Sequence, residues 1–302
     1  MKTHKLTEMT QSELNIFNNL RVQIDSVFKH SHECSIKTRY TYHERMDVFA
    51  KFLAVEYRKQ NIKKISNDHI LKYVEYLQER GMSTSYVTTS LSAIRYYYKK
   101  SVGSKFIIKS NKALGANARS KMERIGPDRS ISESDYNELL KNTVNCGNKE
   151  YEFALKVGLT LGLRIHEFYK MRKSQIREAL KTGEISVKGK GGLIRALPIT
   201  LVDRALLNEI LNGIESDNDR LFVKKREKTH NKIKELETYI KNSREGTDKN
   251  YVYHSLRHAY AQKLHKRLTS QGLSDLEART IVSYRLGHGR VSISDIYLEA
   301  YE

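Results

Sequence analysis

Proline is scarce in this chain: only Pro127 and Pro198 occur among its 302 residues. Because proline breaks or kinks the interior of a helix, the long stretches without it can form uninterrupted helices. Apolar residues recur every three or four positions, the period of one helix face, in residues 42–53, 70–77 and 87–98. The spacing predicts a mainly α-helical protein, with a compact bundle that follows an N-terminal helix within residues 6–30.

The composition changes in residues 111–132, which read NKALGANARSKMERIGPDRSIS. This stretch is rich in small and charged residues and contains Gly115, Gly126 and Pro127, a composition typical of a linker. Beyond it, Ser132 and Asp135 can begin a helix, and a second helix is expected from about Glu150 to Leu163. Residues 184–199, EISVKGKGGLIRALPI, place β-prone runs on both sides of a glycine-rich turn and predict a hairpin. The second half is therefore expected to be α+β.

The charge of the chain indicates a polyanionic partner. Lys and Arg number 54 against 35 Asp and Glu, a formal net charge of +19 with a pI near 9.7. Nucleic acid is favoured over a membrane surface, because the lysines are spread along the chain and no segment approaches the roughly 20 apolar residues of a membrane span. Cys34 and Cys146 lie far apart and predict neither a disulfide nor a metal site. The expected location is the cytoplasm.

Four short stretches of the second half carry residues that suit chemistry on a phosphate. They are TLGLRIHEF with Arg164 and Glu167, the hairpin with Lys190 at its tip, HSLRHAYAQKL with His254 and Arg257, and RLGHGRVSISDIYLEAYE with His288 and Tyr297. Each has an ordinary interpretation taken alone: a helix salt bridge, a solvated turn lysine, a surface histidine or a packed tyrosine. The order and spacing of all of them together favour a functional set.

With these residues, the sequence resembles a tyrosine site-specific recombinase of the phage integrase family, whose catalytic domain is also similar to that of type IB topoisomerases. The resemblance implies an N-terminal helical extension at 1–34, a helical core-binding domain at 35–112, a linker at 113–130 and a catalytic domain at 131–302. The implied catalytic residues are Arg164, Lys190, His254, Arg257, His288 and Tyr297. Candidate DNA contacts lie on the polar sides of the first helices: Lys37, Arg39, Arg45, Arg95, Lys99 and Lys100.

The chemistry of a phosphodiester explains such a set. Arg164 and Arg257 would hold the charge of the scissile phosphate, and Tyr297 would attack it to leave a 3′-phosphotyrosyl link. Lys190 would protonate the departing 5′-oxygen, and His254 and His288 would hydrogen-bond the phosphate or move a proton. Glu167 is expected to position Arg164 or His254, without contacting the phosphate itself. The link conserves the energy of the phosphodiester bond, so ATP is not expected. The sequence has neither a G-x-x-x-x-G-K-S/T loop nor a compact Asp/Glu cluster suited to two magnesium ions, so no metal ion or other cofactor is expected.

Two residues near this set are harder to assign. Tyr301 lies one helical turn after Tyr297 and competes with it as nucleophile, but the distance from the LGH motif selects Tyr297. His258 follows Arg257 and is turned about 100° from it around the helix. It is at least as well explained by packing or by a polar contact outside the site.

The resemblance implies double-stranded DNA recombination sites as the partner, a homotetramer on DNA, and accessory DNA-bending proteins. It also implies a prokaryotic, phage or mobile-element origin and association with the nucleoid. Two alternatives stay open: a type IB topoisomerase, which works as a monomer and relaxes supercoils, and a noncatalytic DNA-binding regulator that keeps the fold. Binding alone needs neither Tyr297 nor Lys190, which argues against the regulator.

Overall fold

In the computed structural model, the described residues are 9–29, 33–103, 106–189, 192–214 and 219–299. They form two compact units, one up to residue 121 and the other from residue 122. The division falls inside the range predicted as a linker, and the exact segment limits remain a prediction. Within these ranges, no helix combines the length and apolarity needed to cross a bilayer.

The first unit is a helical bundle, as the apolar spacing predicted. Its helices are α1 Gln11–Lys29, α2 Ile36–Tyr57, α3 Asn67–Glu79 and α4 Thr84–Ser101. Serines begin two of them: Ser35 Oγ accepts the backbone N–H of Thr38, and Ser83 Oγ accepts that of Tyr86. The core is fully buried and rich in aromatic residues, with Leu20, Ile24, Phe49, Tyr73, Leu91 and Ile94 among its members. Helix α1 therefore belongs to the same core as the three helices after it.

The second unit is mainly helical with one small sheet. Its elements are α5 Lys121–Ile125, α6 Glu133–Asn145, α7 Lys149–Thr160, α8 Ile165–Phe168, α9 Lys173–Thr182, β1 Glu184–Lys188, β2 Ile194–Pro198, α10 Leu201–Gly213, α11 Thr229–Asn242, α12 Tyr253–Ser270, α13 Asp275–Arg285 and α14 Asp295–Leu298. The predicted cap at Ser132 is confirmed, because its hydroxyl accepts the backbone N–H of Asp135. The predicted hairpin is confirmed as two antiparallel strands.

Two glycines shape helix α7: Gly158 allows it to pack closely against α12, and Gly162 ends it. A Cβ on Gly158 would lie 2.8 Å from Leu256 Cδ1, so only glycine permits this approach of the two helices. Helix α7 ends at Thr160, three residues before the predicted end at Leu163. The physical reason is Gly162, which takes a left-handed φ of 61° that a continuing helix cannot contain.

Candidate active site

Arg164 stands at the start of the short helix α8, and Glu167 lies in its first turn. The Arg164 backbone N–H donates to Glu167 Oε2 at 2.9 Å, and Arg164 Nη1 donates to Glu167 Oε1 at 3.0 Å. The Arg164 side chain is one-fifth exposed, whereas the Glu167 side chain is fully buried. The carboxylate thus holds a guanidinium that still reaches solvent, the contact that the predicted positioning role of Glu167 requires.

Arg195 on strand β2 is a member of the site that sequence reasoning missed. It donates to both oxygens of Glu167, Nη1 to Oε1 and Nη2 to Oε2, each at 2.9 Å. Its Nε donates to the backbone oxygen of Arg285 at 2.9 Å. The pairing with two arginines holds the pKa of Glu167 at about 2 against the opposing effect of burial. The carboxylate is therefore ionised at every physiological pH.

Arg257 is fully buried on helix α12. Its terminal nitrogens donate to two backbone carbonyls, Nη1 to Gly162 and Nη2 to Leu286. Its Nε has no hydrogen-bond partner among the described residues. Burial lowers the pKa of Arg257 to about 10, which leaves it charged at neutral pH, and the neighbouring Tyr297 opposes this shift. A buried guanidinium with an unpaired N–H is suited to receive an anion.

Tyr297 lies on α14 with its hydroxyl between two histidines. The phenol oxygen is 3.3 Å from His288 Nε2 and 3.4 Å from His254 Nε2. The Tyr297 residue is 5% exposed, so the surrounding side chains hold the ring in place. The structure thus brings four sequence-predicted residues together: His254, Arg257, His288 and Tyr297.

His258 also faces this cluster, although packing or a polar contact outside the site was predicted to explain it at least as well as a role in the site. Its ring centroid is 4.4 Å from that of Tyr297 and 5.2 Å from that of His254. The reason is the four-residue spacing from His254, which places both rings on one side of α12. The prediction considered only the angle to Arg257 and missed this neighbour.

All three histidines of the site are uncharged at neutral pH. Burial, followed by nearby positive charges, lowers the pKa of His254 and of His288 to about 4. Burial and the charge that His254 would carry lower the pKa of His258 to about 4. Arg257 and Arg164 are the leading cations around both His254 and His288. Neutral imidazoles can accept a proton or a hydrogen bond from the phenol.

Two side chains, those of Gln262 and Arg279, help to anchor the segment that carries Tyr297. Gln262 Nε2 donates to the Tyr297 backbone oxygen at 3.3 Å and to Asp128 Oδ1 at 3.1 Å. Arg279 Nη1 donates to Asp295 Oδ1 at 3.0 Å and lies 3.8 Å from Glu299 Oε1. The nucleophile candidate is therefore flanked by ion pairs within its own chain.

Two residues weighed in the sequence lie outside the described residues. They are Lys190, the predicted general acid, and Tyr301, the competitor of Tyr297. Across the ranges that the structure does describe, no three His, Cys, Asp or Glu side chains come together as a metal-binding group.

The predicted DNA-binding residues of the first unit differ in their surroundings. Arg95 donates to Asn111 Oδ1 at 2.8 Å and to the backbone oxygen of Lys109 at 2.7 Å. Arg45 lies over the Tyr86 ring, 3.8 Å from its centroid. Arg39 is half-buried like these two, whereas Lys37, Lys99 and Lys100 are exposed, and Lys100 pairs with Glu33. The contacts of Arg95 and Arg45 contribute to the fold, so the exposed lysines are the better candidates for phosphate contact.

Comparison with known families covers both units. A model of the phage integrase family matches residues 129–302, and a model of the phage integrase N-terminal SAM-like domain matches residues 20–108. Among curated proteins, the tyrosine recombinase XerC of Escherichia coli O127:H6 (strain E2348/69 / EPEC) is 30% identical over 227 residues. That alignment covers 73% of this chain and 71% of the relative.

Similar folds occur in solved structures of lambda integrase. A dimer bound to a COC′ core site aligns with a TM-score of 0.64 and 14% identity, over 96% of this chain and 81% of that one. A tetramer bound to a Holliday junction aligns with a TM-score of 0.62 and 14% identity, over 94% and 80%. At these identities the likeness concerns the fold alone.

Proposed function

The chain belongs to the phage integrase family and is a tyrosine site-specific recombinase that cleaves and rejoins DNA, and on this premise we propose that Tyr297 is its nucleophile. The observation that supports this assignment is the cluster around the phenol. His254 and His288 flank the hydroxyl within 3.4 Å, and the unpaired Nε of Arg257 lies in the same buried site.

In the proposed cleavage step, the Tyr297 oxygen bonds to phosphorus as the bond from phosphorus to the 5′-oxygen breaks. The product is a 3′-phosphotyrosyl link and a free 5′-hydroxyl. A neutral histidine, His254 or His288, takes the phenol proton, because an unprotonated imidazole next to the hydroxyl is an acceptor. Attack of a 5′-hydroxyl from another strand reverses the step and rejoins DNA without ATP.

The arginines stabilise the charge that develops on the phosphate. Arg164 reaches solvent while Glu167 holds one edge of its guanidinium, and Arg257 offers its buried Nε. Two guanidinium groups on the nonbridging oxygens favour the transition state over the ground state. Lys190 is assigned to protonate the leaving 5′-oxygen, on the resemblance of its hairpin position to that of the family.

We also propose that double-stranded recombination sites are the substrate and that four copies assemble on them. The support is the lambda integrase tetramer on a Holliday junction, which shares the fold. Accessory DNA-bending proteins and action at the bacterial nucleoid are part of the same proposal.

A random-sequence duplex library tests these assignments. The protein is incubated with the library, and DNA that remains attached after denaturation is sequenced to define the site. A duplex carrying that site should form a covalent adduct with the protein and exchange strands with a second copy of the site. Relaxation of supercoiled plasmid without exchange between two sites, or absence of any adduct, would contradict these assignments.

A further inference from the structure

The Glu167 carboxylate is shared between two arginines that play different parts. Oε1 accepts from Arg164 Nη1 at 3.0 Å and from Arg195 Nη1 at 2.9 Å. Oε2 accepts from the Arg164 backbone at 2.9 Å and from Arg195 Nη2 at 2.9 Å. Arg195 thus provides the bidentate guanidinium contact, and the Arg164 side chain provides a single bond.

The two arginines also differ in what else holds them. Arg195 is fixed independently of Arg164, because its Nε binds the Arg285 carbonyl at 2.9 Å and its side chain packs against Gly287. A Cβ on Gly287 would lie 3.0 Å from Arg195 Cδ, so that glycine leaves room for the arginine. The Arg164 side chain has Glu167 as its only hydrogen-bond partner among the described residues.

A buried carboxylate must be compensated by cations or donors, because an unpaired charge in a protein interior is costly. The Glu167 side chain is fully buried and the Arg195 side chain is 3% exposed. Without Arg195, the nearest available cation for Glu167 is Arg164, whose planar fork matches a carboxylate in two-point geometry. Arg164 would then turn toward Glu167 and lose its reach toward a phosphate.

We propose that Arg195 is a positioning residue that neutralises Glu167 and so leaves the Arg164 guanidinium available for the scissile phosphate. The inference rests on the proposed function, since it takes Arg164 as a phosphate ligand. It assigns Arg195 no contact with DNA. It also explains why a charged residue occupies an inward-facing position of strand β2, opposite Val187 in the sheet register.

The test measures the rate of covalent adduct formation on the duplex recovered from the library. Arg195→Gln is expected to lower this rate about a hundredfold, the scale of losing one contact made in the transition state. Arg195→Lys keeps a cation beside Glu167 and should lose less. The double variant Glu167→Gln with Arg195→Gln should regain activity to near the level of Glu167→Gln alone, because a neutral glutamine does not capture Arg164. The surface variant Arg172→Gln, which breaks an exposed pair with Asp219, is the matched control.

A second substrate separates positioning from simple support of the fold. In a methylphosphonate linkage a methyl group replaces one nonbridging oxygen, so the linkage is neutral and depends less on an arginine. Relative to wild type, Arg195→Gln should be impaired much less on the methylphosphonate than on the phosphate, as Arg164→Gln should be. Thermal unfolding of each variant sets an assay temperature at which all are folded.

Several results would overturn the inference. One is an Arg195→Gln variant that forms adduct at the wild-type rate, and another is a folded Arg195→Lys variant as slow as Arg195→Gln. The others are a double variant no faster than Arg195→Gln, and an Arg195→Gln variant slowed equally on the phosphate and the methylphosphonate. The two proposals fail in different ways. If Arg164→Gln itself forms adduct at the wild-type rate, the proposed role of Arg164 fails; if only the recovery and the substrate dependence are missing, Arg195 alone is misassigned.

Discussion

The imidazole ring of His258 packs against the phenol ring of Tyr297, with centroids 4.4 Å apart and planes inclined by 35°. Because His258 is 2% exposed, it forms a fixed surface against which the phenol rests. His258→Ala should therefore leave a space beside Tyr297 and lower the rate of adduct formation about tenfold while DNA binding is kept. His258→Phe restores a packed ring and should lie within a few-fold of wild type. An alanine variant that cleaves at the normal rate would contradict this role.

The same histidine predicts how stability depends on pH. The pKa of His258 is lowered from 6.5 to about 4 in the folded state, so the unfolded chain binds its proton first as the pH falls. Above about pH 6.5, His258 is uncharged in both the folded and the unfolded chain and does not change the free energy of unfolding. Between about pH 6.5 and 4, only the unfolded chain takes up the proton, so the free energy of unfolding falls. The share of His258 in the loss from pH 7 to 5 should be about 2 kcal/mol. Urea unfolding of His258→Gln should show a smaller loss over this interval, whereas the exposed His230→Gln should behave as wild type.

Gly162 is expected to be essential to the site for two reasons. It takes a left-handed φ, and its backbone carbonyl accepts a hydrogen bond from Arg257. A Cβ there would lie 2.3 Å from Tyr260 Cδ1. Gly162→Ala should lower the free energy of unfolding by about 3 kcal/mol or more, from backbone strain and overpacking together. Gly147→Ala is a matched control, since Gly147 has a φ of 65° and an added Cβ would meet nothing within 4 Å. It should cost about 1 kcal/mol. Equal losses for both would contradict the proposed clash.

Two variants of the first unit should distinguish a residue that contacts DNA from a residue that supports the fold. Lys99 is exposed, so Lys99→Ala should weaken DNA binding evenly across sequences and reduce the slope of log affinity against log salt by about one, without changing thermal stability. Arg95→Ala should lower thermal stability, because Arg95 bonds Asn111 and the Lys109 carbonyl. Fluorescence anisotropy over a salt series measures the affinity and its salt slope, and thermal unfolding measures the stability, with Lys72→Ala as a surface control. An unchanged salt slope for Lys99→Ala would remove it from the DNA interface.

Sequence periodicity was sufficient for the helices of the first unit, because each buries one apolar stripe that repeats every three or four residues. The cap at Ser132 and the hairpin at 184–199 could also be predicted, because both depend on residues that are close together in the sequence. The end of α7 was not, since the prediction extended the apolar run past Gly162, whose positive φ ends the helix.

The parts of the site that sequence reasoning missed depend on contacts distant along the chain. Arg195 pairs with Glu167, 28 residues away in the sequence, and no local sequence pattern predicts that partner. A signal was nonetheless present: the hairpin register places Arg195 opposite Val187, on the inward face with Ile185 and Leu197. A charged residue on an otherwise apolar face indicates a buried ion pair.

The identity of the residue joined to DNA tests the central claim most directly. Adduct formed on the recovered duplex site is digested with protease and nuclease, and mass spectrometry locates the nucleotide on a peptide. We predict a 3′-phosphate ester on the oxygen of Tyr297 and no adduct from Tyr297→Phe, with DNA binding unchanged. An adduct on Tyr301 or on any other residue, or an undiminished adduct from Tyr297→Phe, would contradict the account.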